Sequence, residues 1–191
     1  SHLASRFNAH LTFNVLNTVQ GMVLINEKDE DIELIGTYSR VLRKMLINDS
    51  LETSLGNEMD IISDYISIEK YRMESNFTYE MKLPKSQLQK KIPKSLIISL
   101  AENAIKHGIR YLGNSAYLTI DSPSTDFDTI RVRNNAPITD GSTKGRNGIG
   151  LIRDLIKKYN ELTGSSLSLV INSNLSQNHQ EMEFEALVSL K

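Results

Sequence analysis

Apolar residues recur at helical spacing twice within the first fifty positions. Phe7, Leu11, Val15, Val19, Met22 and Val23 form one stripe over residues 3–26, and Ile32, Ile35, Tyr38, Val41, Leu42 and Met45 form another over 30–49. The polar NEKDED between them is a short connector, which predicts an antiparallel helical hairpin. A hairpin of this size buries too little surface alone. Its long stripes predict pairing with a second copy into a four-helix bundle, and so a homodimer.

The segment DSLETSLGNE interrupts this pattern, dividing the chain into a hairpin over residues 1–51 and a second domain over 52–191. Met59, Ile62, Tyr65, Ile66 and Ile68 predict a helix over 57–74. FTYEMKL then reads as a strand, Pro93 to His107 as a helix, and AYLTI and TIRVRN as strands. A further helix is expected from about Ile149 to Leu162, closed by strands at SLSLVI and EMEFEALVSL. The expected class is α+β: a helical hairpin followed by an α/β sandwich with one mostly antiparallel sheet and helices on one face.

Composition narrows the partners more than the fold. With 191 residues and 39% apolar positions the chain can bury a real core. Its 22 Lys plus Arg against 23 Asp plus Glu carry no basic footprint, so no nucleic-acid partner is expected. The absence of cysteine removes disulfides and thiolate chemistry and suits a reducing compartment, with the cytoplasm as the default. No apolar run approaches the ~20 residues of a spanning helix, and the N-terminus lacks the charged-then-apolar order of a signal peptide. Attachment to a membrane is expected only through segments absent from this chain.

Three stretches carry candidate chemistry. In FNAHLTFNVLN, residues 7–17, His10, Asn14 and Asn17 share the helix face opposite Leu11, Val15 and Val19, so an imidazole and two amides line the wet side. In PKSLIISLAENAIKHG, Pro93 suits a first helical turn and Gly108 a C-terminal cap. There Ile97, Ile98, Ala101, Ala104 and Ile105 fall on one side, and Ser99, Asn103, Lys106 and His107 on the other. An Asn103 oxygen suits Mg²⁺ that keeps phosphate oxygens and water as its other ligands, and Lys106 adds positive charge; a solvated helix face is the plainer reading. In NNAPITDGSTKGRNGIGL, Gly145, Gly148 and Gly150 let backbone approach a ligand ahead of a helix N-terminus that can accept phosphate. Ile130, Val132 and Asn134 alternate on the preceding strand, so Asn134 points inward, either to meet a polar ring edge or to cap the loop.

These stretches together resemble a known family. Asn103 within ENAIKHG, a polar residue closing a strand some thirty positions later, and GIGL opening a helix look like the N, G1 and G2 boxes of the ATP-binding domain shared by histidine kinases, Hsp90-type chaperones, MutL-type repair proteins and type II topoisomerases. FNAHLTFNVLN resembles the phosphoacceptor box of the LytS-like sensor histidine kinases, and YISIEKYRM and IPKSLIISLAENAIKHG resemble the middle of that subfamily. The match runs in order over residues 7–160.

The resemblance implies a GHKL-type ATP-binding domain behind a dimeric phosphoacceptor hairpin. His10 would accept the γ-phosphoryl group of ATP and pass it to the receiver domain of a response regulator. Asn14 would position a water or the acceptor. Asn103 would bind Mg²⁺ with ATP, Lys106 and His107 would contact phosphates, Asn134 would recognise adenine, and Gly145, Gly148 and Gly150 would form the loop over the nucleotide. Ser99 stands where chaperone-type relatives carry the glutamate that activates water, which favours transfer to a side chain over ATP hydrolysis. Glu102, next to Asn103 but 100° around the helix, is either a solvated or structural carboxylate or a catalytic one. Ala9, Leu11, Asn134 and Ala136 depart from the family's boxes, and a degenerate module that binds nucleotide and dimerises without catalysis is the alternative.

Overall fold

The computed structural model describes residues 36–37, 39–41, 44, 50–123, 128–138, 146–177 and 180–190. Most of the predicted hairpin lies outside the described residues, and with it His10, Asn14 and the expected pairing; Gly145 lies outside them as well. What is described of the second predicted helix is helical. Val41 is fully buried in the same apolar cluster as the rest of the fold, and Lys44 Nζ lies 2.9 Å from Asp64 Oδ2.

From residue 52 the elements are β1 (Glu52–Ser54), α1 (Leu55–Met73), β2 (Thr78–Lys82), β3 (Lys91–Pro93) and α2 (Leu96–Ala104). A π-helical turn (Ile105–Ile109) and α3 (Arg110–Leu112) extend α2, and a 3₁₀ turn (Gly113–Ser115) leads into β4 (Tyr117–Asp121). Then come β5 (Thr129–Pro137), α4 (Arg146–Thr163), β6 (Ser168–Leu175) and β7 (Glu181–Ser189). The main sheet has the order β2-β4-β5-β7-β6 and is antiparallel except between β2 and β4. That parallel pair follows from the α2 crossover between its two strands, since a tight turn can join only antiparallel neighbours.

Period-2 alternation decides which face the helices cover. On β5, Ile130, Val132, Asn134 and Ala136 are buried; Leu118 and Ile120 of β4 and Ala186 and Val188 of β7 share their side through the strand pairing. The opposite face carries Asp121, Arg131, Arg133 and Glu185, with Arg131 donating to both oxygens of Asp121 at 2.8 Å. Onto the apolar face α1 brings Ile62, Tyr65, Ile66 and Ile68, α2 brings Leu96, Ile97 and Ala101, and α4 brings Ile152, Leu155, Ile156 and Tyr159. Each buried Leu, Ile or Phe contributes roughly 1.5–3 kcal/mol relative to exposure, and this face supplies most of the fold's driving force. The expected one-sided sandwich is therefore the observed one.

Local signals account for some boundaries. Ser54 caps α1 by accepting the Asn57 N–H at 3.2 Å, and Glu74 ends it in the left-handed region at φ 48°. Two expectations are corrected. Pro93 does not open α2; it closes β3, which pairs with β1 in a two-stranded ribbon (Glu52↔Pro93) that three-residue strands are too short to announce. Gly108 does not end the helix, which runs on through the π turn and α3 until Gly113 breaks it at φ 58°.

Candidate functional site

The site is organised around α2. This helix starts at Ser95, held at φ 71°, whose side chain makes no cap bond, and its first turn holds no acidic residue. The cap comes from α1: the buried Glu58 carboxylate accepts the backbone N–H groups of Ser95, Ile97 (2.7 Å) and Ile98 (3.2 Å). These are among the donors that a helix start leaves without partners. Ser99, expected on the polar side of the helix, is buried, and its hydroxyl donates to the Ser95 carbonyl at 2.6 Å.

Asn103, two turns further on, meets the first turn of α4. A Cβ built on Gly148 would fall 2.4 Å from Asn103 Oδ1 and 3.0 Å from Nδ2, so the absence of a side chain at Gly148 is what admits the amide. Gly148 and Gly150 were expected in a loop, but both lie inside α4, which begins at Arg146; a Cβ on Gly150 meets nothing within 4 Å. One glycine makes room for a neighbouring side chain and the other leaves open space.

Past Asn103 the helix widens. Lys106 and His107 sit in the π turn, and Gly108 packs on β5 so tightly that its Cβ would lie 2.5 Å from Asn134 Nδ2 and 2.6 Å from the Asn135 carbonyl oxygen. Single π turns inside helices are frequently found at functional sites. Here the turn brings the cationic end of the helix beside the strand that carries Asn134. As expected, Asn134 points inward; it is 7% exposed and donates from Nδ2 to the Asn135 carbonyl at 3.0 Å. Asn135 fastens this end of β5. It accepts the Tyr117 N–H at 2.8 Å and donates to Ser115 O at 3.0 Å and Glu181 Oε2 at 2.7 Å.

The charges follow from burial. Glu102, for which a solvated carboxylate was one expectation, is buried, with Oε1 3.8 Å from the half-exposed Lys106 Nζ. Burial lowers the His107 pKa below its ordinary value, and the neighbouring Lys106 charge lowers it further, so the imidazole is neutral at pH 7. Burial also pushes the Glu58 carboxyl up, to about 7, against the pull of the backbone N–H groups it accepts.

Phe184 escaped the reading of the sequence. On β7 it pairs directly with Asn134 and so shares the helix-facing side, yet it is 37% exposed, with Met182 beyond it opposite Ala136. The alternation of Met182, Phe184, Ala186 and Val188 in EMEFEALVSL shows that the four share a face. Nothing local says that Asn134 is the neighbour. The structure thus gathers Asn103 with Gly148, and Asn134 with Gly108 and Phe184, at two points along one helix, with Lys106 and His107 between them in sequence.

Comparison with known proteins places the chain's similarity among sensor histidine kinases. Residues 1–77 match the family model described as histidine kinase. The chain is 28% identical over 150 residues to the sensor histidine kinase BtsS of Escherichia coli (strain K12), covering 76% of this chain and 27% of that protein. It is 34% identical over 119 residues to the sensor histidine kinase YpdA of Escherichia coli (strain K12), covering 62% and 21% respectively. It is 27% identical over 135 residues to the sensor protein LytS of Staphylococcus haemolyticus (strain JCSC1435), covering 70% and 23%. The chain spans about a quarter of the length of these curated relatives. Among the described residues no helix is long and apolar enough to cross a membrane.

Proposed function

We propose that the chain is the catalytic core of a LytS-like two-component sensor histidine kinase, phosphorylating His10 from ATP and passing the phosphoryl group to a response-regulator aspartate; its similarity to sensor histidine kinases supports this reading. The observation that carries this reading is a pair of amides, Asn103 on α2 and Asn134 on β5, that meet glycines at two points along one helical run. Asn103 against Gly148 offers a hard oxygen at the phosphate end, and Asn134 against Gly108 offers an amide at the base end. Gly108 follows Asn103 by five residues, which separates the two points by about 7 Å along the helix.

Mg²⁺ fits this donor set, because it takes few protein ligands and fills its octahedron with phosphate oxygens and water. When bound it would neutralise charge on the triphosphate, with Asn103 as its protein ligand. Lys106 would add charge to the same phosphates, and His107, neutral at pH 7, would donate or accept a hydrogen bond there. The Asn134 Nδ2 group is committed to the Asn135 carbonyl, which turns its oxygen to the role the family gives an aspartate: accepting from the adenine amino group without a charge. Exposed beside it, Phe184 offers the ring a flat apolar wall. Gly145 would leave backbone free to approach the phosphates, and Gly150, inside α4, would leave open space there.

The transfer asks for positioning and charge more than for covalent chemistry by the protein. A ring nitrogen of His10, in the neutral imidazole form, would form a P–N bond to the γ-phosphorus. The bond from that phosphorus to its bridging oxygen breaks, ADP leaves with the electron pair, and the imidazole N–H proton passes to solvent. Asn14, one turn from His10, would orient the water or the receiver acceptor. Two hairpins paired as a homodimer would give His10 its four-helix setting.

The deciding experiment incubates the chain with Mg²⁺ and γ-labelled ATP beside a His10→Gln variant. Acid-labile, alkali-stable label that disappears in the variant is the expected result. ATP binding without any label on His10 would instead select a non-catalytic signalling module.

A further inference from the structure

Glu58 is 1% exposed on α1, and its side chain leaves that helix to serve another. One carboxylate oxygen accepts the Ser95 N–H, and the other accepts those of Ile97 and Ile98. A helix start carries unsatisfied donors and a partial positive charge, and α2 supplies neither a capping side chain nor an acidic first turn of its own. Both needs of α2 are therefore met from a residue 37 positions upstream.

The other end of α2 is equally constrained. Gly108 abuts the β5 backbone, and Asn103 abuts Gly148 with no room for a single added carbon. Asn103 follows Ser95 by eight residues, about 12 Å along a rigid helix, so a displacement at the cap reaches the amide undiminished. A carboxylate with an acceptor on each oxygen suits this task better than any neutral isostere, because an amide would turn N–H donors toward N–H donors on one side.

We propose that Glu58 is a positioning residue for the metal and phosphate end of the nucleotide site, fixing the placement of α2 at which Asn103 meets Gly148. This rests on the reading of Asn103 as the Mg²⁺-nucleotide ligand. It assigns to α1 a direct hold on that ligand through the helix it caps.

The test measures ATP binding by calorimetry on the full chain, with Mg²⁺ and with EDTA, for the unmodified protein and Glu58→Gln. In the unmodified protein Mg²⁺ tightens ATP binding; in the variant that tightening falls about tenfold, while affinity in EDTA changes less than about twofold. A purely structural loss would weaken both conditions alike. If circular dichroism shows Glu58→Gln unfolded, Glu58→Asp, which keeps the charge one methylene short, takes its place with the same expectation. An unchanged Mg²⁺ effect in the folded variant overturns the positioning role alone. No Mg²⁺ effect in the unmodified protein overturns the reading of Asn103, and the positioning role with it.

Discussion

Gly148 on α4 stands against the side chain of Asn103 on α2 so closely that a Cβ built on the glycine falls 2.4 Å from Oδ1 and 3.1 Å from Cγ. The two helices meet where one has no side chain and the other has an amide. The amide is thereby held in place by a backbone, the least compliant neighbour a protein can provide.

Replacing Gly148 with Ala separates function from stability. Alanine favours a helix interior by up to about 1 kcal/mol over glycine, so the unfolding temperature should hold or rise. The added methyl must push Asn103 aside, and Mg²⁺-ATP affinity should drop at least about tenfold. Calorimetric titration beside a thermal melt checks both. In a Gly148→Ala, Asn103→Ala double variant the two losses should fall well short of adding, since both act on one amide.

Gly108→Ala should behave in the opposite way. Its Cβ would meet the Asn135 carbonyl at 2.6 Å and Asn134 Nδ2 at 2.5 Å, and strand backbone cannot withdraw as a side-chain tip can. A loss of about 1–3 kcal/mol in unfolding free energy is expected, read from urea denaturation, together with weaker nucleotide binding. Unchanged stability would mean that the π turn can shift away from β5.

Glu58 should give the protein a measurable pH signature. Its folded pKa, raised by burial to about 7 from an ordinary 4.5, means that between those pH values the folded state holds a proton the unfolded chain has released, while above 7 it is the carboxylate that accepts the α2 N–H groups. The stabilisation is full below pH 4.5 and is lost as pH rises through 7, amounting to about 3 kcal/mol. Denaturation at stepped pH should show this decline in the unmodified protein and not in Glu58→Gln, so that the difference between the two curves isolates it.

Phe184→Ala tests the wall beside Asn134. Because Phe184 is 37% exposed, truncation should cost well under the roughly 3–5 kcal/mol of a core phenylalanine. Loss of ring stacking should weaken ATP binding by roughly 2- to 10-fold. An affinity equal to that of the unmodified protein would place the base elsewhere.

Much of this was written locally along the chain. The alternation of Ile130, Val132 and Asn134 fixed the inward face of β5, and the stripe of Ile152, Leu155, Ile156 and Tyr159 fixed the buried face of α4. The boxes around His10, Asn103 and Gly148 carry the resemblance to the histidine kinases, which residues 1–77 match by family model. Each depends on spacing within one element, and spacing is a property of the sequence itself. Pro93 misled because its fixed φ suits a strand end as well as a first helical turn, and Gly108 misled because a glycine that admits a neighbouring strand looks the same in sequence as one that ends a helix.

What tertiary structure alone decided was which distant groups meet. The cap of α2 comes from Glu58 across 37 positions, Phe184 becomes the neighbour of Asn134 through the pairing of β5 with β7, and Gly148 finds Asn103 through the packing of α4 on α2. A buried carboxylate can satisfy any nearby row of N–H donors, and an alternating strand can pair with any other. The sequence determined the elements, their faces and the chemistry each could offer; the partners were set by the one packing that buries the apolar faces together while leaving the buried donors of α2 satisfied.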